Sequence, residues 1–469
     1  MAFLQDLKTI LKMHKKFYIV YTNIFIGILI TYACFAPSFL SMLGSDSAEI
    51  AFSVIGHALT YSTFIFLYPL IGNTPGIKNP KRFLVLAFCI KFEITVIMDL
   101  CGFFPGYNNF IEDYEYGKTY FTVVILNMPG VGSTFYYPPA CSLFWAFLYL
   151  VNPWRSTLVF RMEMMIFDLA IAWMILKISQ LKELNLPSNA ITSALILYTF
   201  SAIQLYVLLF YQKPDYFEVF LTLIGVYYTI KKRWMISAFV LMFCGFYKIY
   251  TFLWIAGMIL FFIKKKDWKS FRSFILSTLV SGFCYVAIFY LIEGFFFFEN
   301  LLRFGWHFTI WEAAFNLNWS YYLKYLNVPF INFLPPILIL VVLFFYVFKK
   351  VQTIDLTFFI NSTVITLIFY PSINLNYMIW LVPFIGLNFV SHADQYRKGL
   401  LSLDIVHGNM DMHIFAWVIL LGYASDIDVK SFSGEPVILV ILLLRAMMIV
   451  PLLVGLYFFL GLPRNKKKI

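Results

Sequence analysis

Charge is what this chain has least of. Only 13% of its 469 residues are Asp, Glu, Lys or Arg, against 61% hydrophobic and 21% aromatic, a balance that excludes a water-soluble globular domain of this length. The alternating ten-residue strands of a membrane β-barrel are missing, as are an internal repeat, a low-complexity linker and a soluble domain of useful size. The six cysteines, Cys34, Cys89, Cys101, Cys141, Cys244 and Cys284, have no metal-ligand or redox spacing and read as buried packing residues. None of the six histidines forms the i, i+4 pair of a zinc helix, so no protein-only metal cage is expected. There is no Gly-rich phosphate loop after a strand, hence no nucleotide-binding loop. A cleavable signal peptide is lacking too: the first apolar run, residues 17–38, is too long and without a small-residue cleavage site, and reads as a signal anchor.

What remains is a succession of apolar runs, most of them about 17 to 25 residues long, as helices crossing a hydrocarbon core of about 30 Å require. The fold class expected is therefore an all-α polytopic membrane protein. Residues 1–469 form one transmembrane domain of about 12 spans. Its two longest outer excursions, 104–138 and 294–325, are aromatic-rich and suit amphipathic helices on a membrane surface. The formal net charge of +11 does not point to nucleic acid, because the basic residues sit in short clusters between apolar runs. The positive-inside rule puts such clusters on the cytoplasmic side.

Threading from those clusters places Lys81, Lys231 to Arg233, Lys264 to Lys266, Lys349, Lys350 and both termini inside. Asp46, Asp113, Asp215, Lys248 and the loop carrying Arg303, His307 and Glu312 then fall outside. The membrane expected is the plasma membrane of a prokaryote, with the endoplasmic reticulum second because the Lys466-Lys467-Lys468-Ile469 tail also fits a retrieval signal. One stretch breaks the count. Three apolar segments (139–151, 157–176 and 190–211) separate two loops that both belong outside, so one segment does not cross. The first is the prime suspect, since a dozen residues rise only about 18 Å.

The polar residues that interrupt the apolar pattern are the candidates for chemistry. Glu112, Asp113 and Glu115 put three carboxylates into four residues, where mutual repulsion favours proton uptake unless a cation or donor compensates. They make a base, or else a solvated acidic loop. Asp46, with Glu49 a turn later, is a second acidic site, or a helix-start Asp. Tyr137 lies in the Tyr136-Tyr137-Pro138-Pro139 opening of the next segment, and Gln212-Lys213-Pro214-Asp215 marks an outer helix break. Lys248 can bind a lipid phosphate or snorkel to the interface. Arg303 and His307, four apart between aromatic residues, can contact an anionic phosphate or anchor at headgroup depth. Asn318, Asn376 and Tyr377 offer the neutral donors and acceptors that sugars need. Within the membrane, Arg161, Glu163 and Asp168 read as a structural ion network or a proton path.

In order, Asp113-Tyr114-Glu115, Tyr137-Pro138-Pro139, the Gln212 to Asp215 break, Lys248 ahead of Lys264-Lys265-Lys266-Asp267-Trp268, Asn318-Trp319-Ser320 and Asn376-Tyr377 through Pro383 resemble the GT-C glycosyltransferases. The pattern spans roughly residues 105 to 390 and is most similar to the polyprenol-phosphate-mannose-dependent mannosyltransferases, the GPI mannosyltransferase I and mycobacterial groups among them. The resemblance implies a GT-C helix bundle with a catalytic pocket at the non-cytoplasmic face. It gives Asp113, with Glu115, the role of base, and Lys248, Arg303 and His307 the donor phosphate. Tyr137, Gln212, Asp215, Asn318, Asn376 and Tyr377 would bind sugar or acceptor. The motif is Asp-x-Glu where the family has Asp-x-Asp, and three spans precede it where the family usually has one, which keeps Asp46 as a rival base.

The activity expected is inverting transfer of a hexose such as mannose from a polyprenyl-phosphate-linked donor to a lipid-linked or glycan acceptor. Membrane lipid is the medium, nucleic acid is not a partner, and Mg2+ or Mn2+ is compatible without being required. The rival classes are a secondary transporter, for which intramembrane Arg161, Asp168 and Arg445 would line a path, and a polysaccharide polymerase or ligase.

Overall fold

The computed structural model describes residues 80–100, 107–126, 137–184, 213–294, 334–369 and 375–384, with single positions at 186, 194, 195, 198, 199, 204, 208, 297, 298 and 387. Among the described residues the secondary structure is helical throughout, with no strand. The α-helices are α1 (Pro80–Leu100), α2 (Tyr107–Thr119), α3 (Pro139–Val151), α4 (Thr157–Ser179), α5 (Asp215–Ile230), α6 (Trp234–Tyr247), α7 (Tyr250–Lys265), α8 (Trp268–Glu293), α9 (Leu334–Lys349) and α10 (Leu356–Phe369). A π-helical stretch, Tyr120–Ile125, continues α2, and a 3-10 helix, Leu375–Trp380, follows α10.

Local chemistry sets several of these boundaries. Pro139 opens α3 at a position where its missing N–H costs nothing. Asn152 closes the turn after it by bonding both the N–H and the carbonyl of Ser156 (3.0 and 2.8 Å), and Ser156 then caps α4 by accepting from the Val159 N–H. Lys266 ends α7 in a left-handed conformation, and Asp267 caps α8 through the Ser270 N–H at 3.1 Å.

Packing runs from α1 to α4, α4 to α5, α5 to α6, α6 to α7 and α8, and α7 to α8, α9 and α10. From α5 onward the helices alternate in direction, so like ends gather. At one end lie the Lys231–Arg233 turn and the Lys264–Lys266 turn, joined by Trp234 against Phe262 at 4.9 Å. Lys264 donates to the carbonyls of Val347 and Val351 (2.9 and 2.7 Å), which brings Lys349 and Lys350 to the same end. At the other end are the start of α5, the junction of α6 with α7, the end of α8 and the 3-10 helix. The basic clusters thus share one end, away from Asp215 and Glu293.

Among the described helices, α8 with its 26 residues is the one long and apolar enough to cross a membrane, and α3, α6, α9 and α10 are shorter apolar helices. Large apolar side chains stand exposed along α1 (Val85, Leu86, Ile97), α8 (Leu276, Leu279, Phe283, Leu291) and α9 (Ile337, Leu340, Phe345). Of the cysteines, Cys141 and Cys244 are buried as expected, whereas Cys89 and Cys284 are exposed, because they lie on these outward apolar faces rather than in the core.

The pair α2 and α3 is the part that positions the site. Tyr116 Oη meets Ser142 Oγ at 2.6 Å near the start of α3, and Tyr114 Oη donates to the Asn152 carbonyl at 2.7 Å past its end. A helix of 13 residues therefore begins and ends against a single neighbour. Their closest approach is at Gly117, where a Cβ would stand 2.4 Å from the Trp145 carbonyl oxygen. That neighbour is backbone and cannot swing aside. Gly117→Ala is expected to force α2 off α3 and lower stability by about 1–3 kcal/mol, read as a drop in the unfolding midpoint of the purified protein.

Candidate active site

The carboxylate trio lies on α2, and the helix divides it. Asp113 faces inward and is buried, while Glu112 is exposed. Tyr137 Oη donates to Asp113 Oδ1 at 2.6 Å, and Lys213 Nζ forms an ion pair with Oδ2. Two residues along a helix is a rotation of about 200°, so Glu115 points elsewhere. It pairs with Arg155, which also lies over the Tyr114 ring at 5.8 Å, and with Lys118 at 3.4 Å. The repulsion expected among these acids is thus relieved by separate cations. Tyr137 is held in place by the Tyr116 ring, edge-on at 5.0 Å, and by its own N–H to Tyr116 Oη at 3.4 Å. Burial raises the Tyr116 hydroxyl well above the usual tyrosine value, against the opposing pull of its bond with Ser142, so it stays a neutral hydrogen-bonding group.

The second half of the site grows from the Lys213-Pro214-Asp215 break. Pro214 stands at the cap position and Asp215 opens α5, where a negative charge is favoured by the helix dipole. Its Oδ1 lies 3.5 Å from Lys248 Nζ. Lys248 follows α6 in an extended conformation, its ammonium 4.8 Å from the centre of the Tyr377 ring. Tyr247 Oη reaches the Pro214 carbonyl at 3.2 Å, tying the end of α6 to the start of α5. Behind Tyr377, Trp380 stacks at 4.5 Å and in turn lies on Tyr250 at 4.1 Å. Burial works against the Lys248 charge, but Asp215, with Tyr377, Cys141 and Glu218 nearby, outweighs it and holds the pKa well above the ordinary lysine value.

The two halves are one site. Lys213 and Asp215 flank a single proline, and Cys141 at the start of α3 lies within electrostatic reach of Lys248, Asp215 and Asp113 together. In both ion pairs the lysine side chain keeps 16% of its surface while the carboxylate keeps 3% or 2%. The lysine side chains are thus the less covered members of both pairs.

Of the residues expected from sequence, Asp113, Tyr137, Asp215, Lys248 and Tyr377 come together here, and Glu115 does not. Asn376 precedes Tyr377 in the 3-10 helix. Asp46, Gln212, Arg303, His307 and Asn318 lie outside the described residues. Lys213 was not among the expected site residues. Few lysines stand at the end opposite the basic clusters, and that scarcity was the available signal. The Arg161, Glu163 and Asp168 network needs correction: Asp168 is held by Lys91 of α1, Tyr198 and Gln204, each at 2.7 Å. Seven residues along a helix is about 10 Å, too far for Arg161 to reach it without a bridge, and Arg161 lies instead toward Asp99.

Among the described residues no three of His, Cys, Asp and Glu converge to hold a metal ion. Asp113 is bonded by Lys213 and Tyr137, and no chemical step is derived through an ion. No family model matches the chain, and no curated protein does.

Breaking a largely buried ion pair from one side leaves a stranded charge. Lys248→Met and Asp215→Asn are each expected to cost about 2 kcal/mol, and the double variant clearly less than their sum, in a double-mutant cycle of unfolding free energies.

Proposed function

We propose that the chain is a multi-pass membrane glycosyltransferase of the GT-C type, moving a hexose from a polyprenyl-phosphate donor to a lipid-linked or glycan acceptor at the non-cytoplasmic face. The observation that carries this reading is the meeting of Asp113 with Lys213, and of Asp215 with Lys248, on either side of Pro214. A base for a hydroxyl and cations for a departing phosphate are the two things such a transfer needs. The exposed apolar faces of α1, α8 and α9 favour lipid as their surroundings. Gathering of the lysine clusters at one end matches a cytoplasmic side. A short α3 that starts and ends on α2 suits the segment that does not cross. The plasma membrane of a prokaryote is the preferred compartment.

In the proposed reaction the acceptor hydroxyl oxygen attacks the anomeric carbon while its proton passes to Asp113. The bond from that carbon to the phosphate oxygen breaks, and its electron pair leaves with the polyprenyl phosphate, stabilised by the lysine ammonium groups. One displacement from one face inverts the anomeric centre.

A second reading has its own observation. The Lys91–Asp168 pair, with Tyr198 and Gln204, lies between α1 and α4, as a coupling site of a secondary transporter would. The two readings separate in an assay of sugar transfer from labelled polyprenyl-phosphate hexose in membranes carrying the protein. Asp113→Asn is expected to lower transfer by about 100-fold or more, and Glu115→Gln, which removes only exposed ion pairs, by no more than about threefold. Full transfer by Asp113→Asn would refute the assigned base. Absence of transfer by the wild type, with ion-coupled uptake abolished by Asp168→Asn, would establish the transporter.

A further inference from the structure

We infer that Lys213 is an exchangeable cation, held by Asp113 until a phosphate anion takes it, so that binding of the donor lipid is what frees the base. This rests on the glycosyltransferase reading and adds an order of events to it.

Both Asp113 oxygens are engaged, one by Tyr137 Oη at 2.6 Å and the other by Lys213 Nζ. To become a strong base for an acceptor hydroxyl, the carboxylate has to shed a group that stabilises its charge. Tyr137 is the poor choice, being neutral and fixed by the Tyr116 ring and by its own backbone N–H. Lys213 is the better one. It sits ahead of Pro214, outside the body of α5, its side chain keeps 16% of its surface, and its four-carbon stem is flexible. Lys248 is more firmly placed, between Asp215 and the Tyr377 ring.

Charge balance gives the exchange its direction. Two carboxylates and two ammonium groups sum to zero, so the pairs are compensated without a ligand. A phosphodiester monoanion competes with Asp113 for Lys213 and offers several acceptor oxygens where the carboxylate offers one. When Lys213 turns to it, Asp113 loses a cation and gains an anionic neighbour, and both changes increase its affinity for a proton. The base is strong when the donor is present and quenched when it is not. Acceptor hydroxyl and donor therefore react in a fixed order, with the donor bound first.

The test uses the full chain in lipid nanodiscs and polyprenyl phosphate as the probe, with unphosphorylated polyprenol and inorganic phosphate as comparison arms. Lys213→Gln is expected to weaken polyprenyl phosphate binding by about tenfold, and Lys213→Arg to retain most of it. Asp113→Asn, which removes the competing anion, is expected to tighten binding by about fivefold. That gain is one that a damaged fold does not produce. Polyprenol should bind alike to all variants, and inorganic phosphate should bind far more weakly than the lipid. Unchanged or weaker binding by Asp113→Asn, or unchanged binding by Lys213→Gln, overturns the exchange. If the wild type transfers sugar while either of those results holds, only the exchange fails. If it neither transfers sugar nor binds polyprenyl phosphate, the glycosyltransferase reading fails and takes the exchange with it.

Discussion

Two nearly fully covered carboxylates, Asp113 and Asp215, are tolerable only because each has a lysine of its own. Taking an ion out of water costs several kcal/mol, and a like charge nearby adds to it. The arrangement of α2, α3, α5, α6 and α7 answers that constraint. Lys213 reaches Asp113 on α2, and Lys248, released from the end of α6, reaches Asp215 at the start of α5. Pro214 stands between the two halves of the solution and keeps Lys213 out of the helix that Asp215 begins. Where α2 and α3 touch backbone to backbone at Gly117, the same constraint becomes geometric. A wider separation there would carry Tyr137, just ahead of α3, away from the Asp113 oxygen it bonds.

Helical character was legible because apolar runs with no alternation leave little else, and the described residues are helical accordingly. The sorting of lysine clusters to one end was legible as well, since each cluster is a visible break in an apolar pattern. So were Asp113, Tyr137, Asp215, Lys248 and Tyr377, polar residues at the ends of such runs. What could not be read was who partners whom. Lys213 lies 100 residues from Asp113, and Lys91 lies 77 from Asp168. No local periodicity encodes either distance. In the absence of those partners, Arg161 was the nearest cation in sequence to Asp168 and was assigned to it, although helix rise alone separates them. Glu115 failed for a related reason. Proximity in sequence made it a companion of Asp113, but once residues 107–119 are a helix, the two must face different ways.

The odd count of apolar segments between Asp113 and Asp215 was a clue of a different kind, because parity needs no partner. It marks one segment as a candidate to start and finish on one side, and α3, the shortest of the three, has both ends against α2. Such a segment buries its backbone in protein rather than lipid, where a turn such as the one closed by Asn152 can satisfy its polar groups. The start of α3 leans toward the junction of α5 and α6 through the Phe144 contacts with Phe217 and Tyr247.

The buried pair of α1 and α4 supplies a contrast in exposure. Lys91 and Asp168 are about equally covered, with side chains 5% and 6% exposed, and Tyr198 and Gln204 add two further donors to the carboxylate. Both oxygens of that carboxylate are engaged. At Asp113 and Asp215 the acids are as deeply covered, while their lysine side chains keep 16% of their surface. Partial exposure of the lysines lowers the desolvation cost of each pair while water screens some of its attraction.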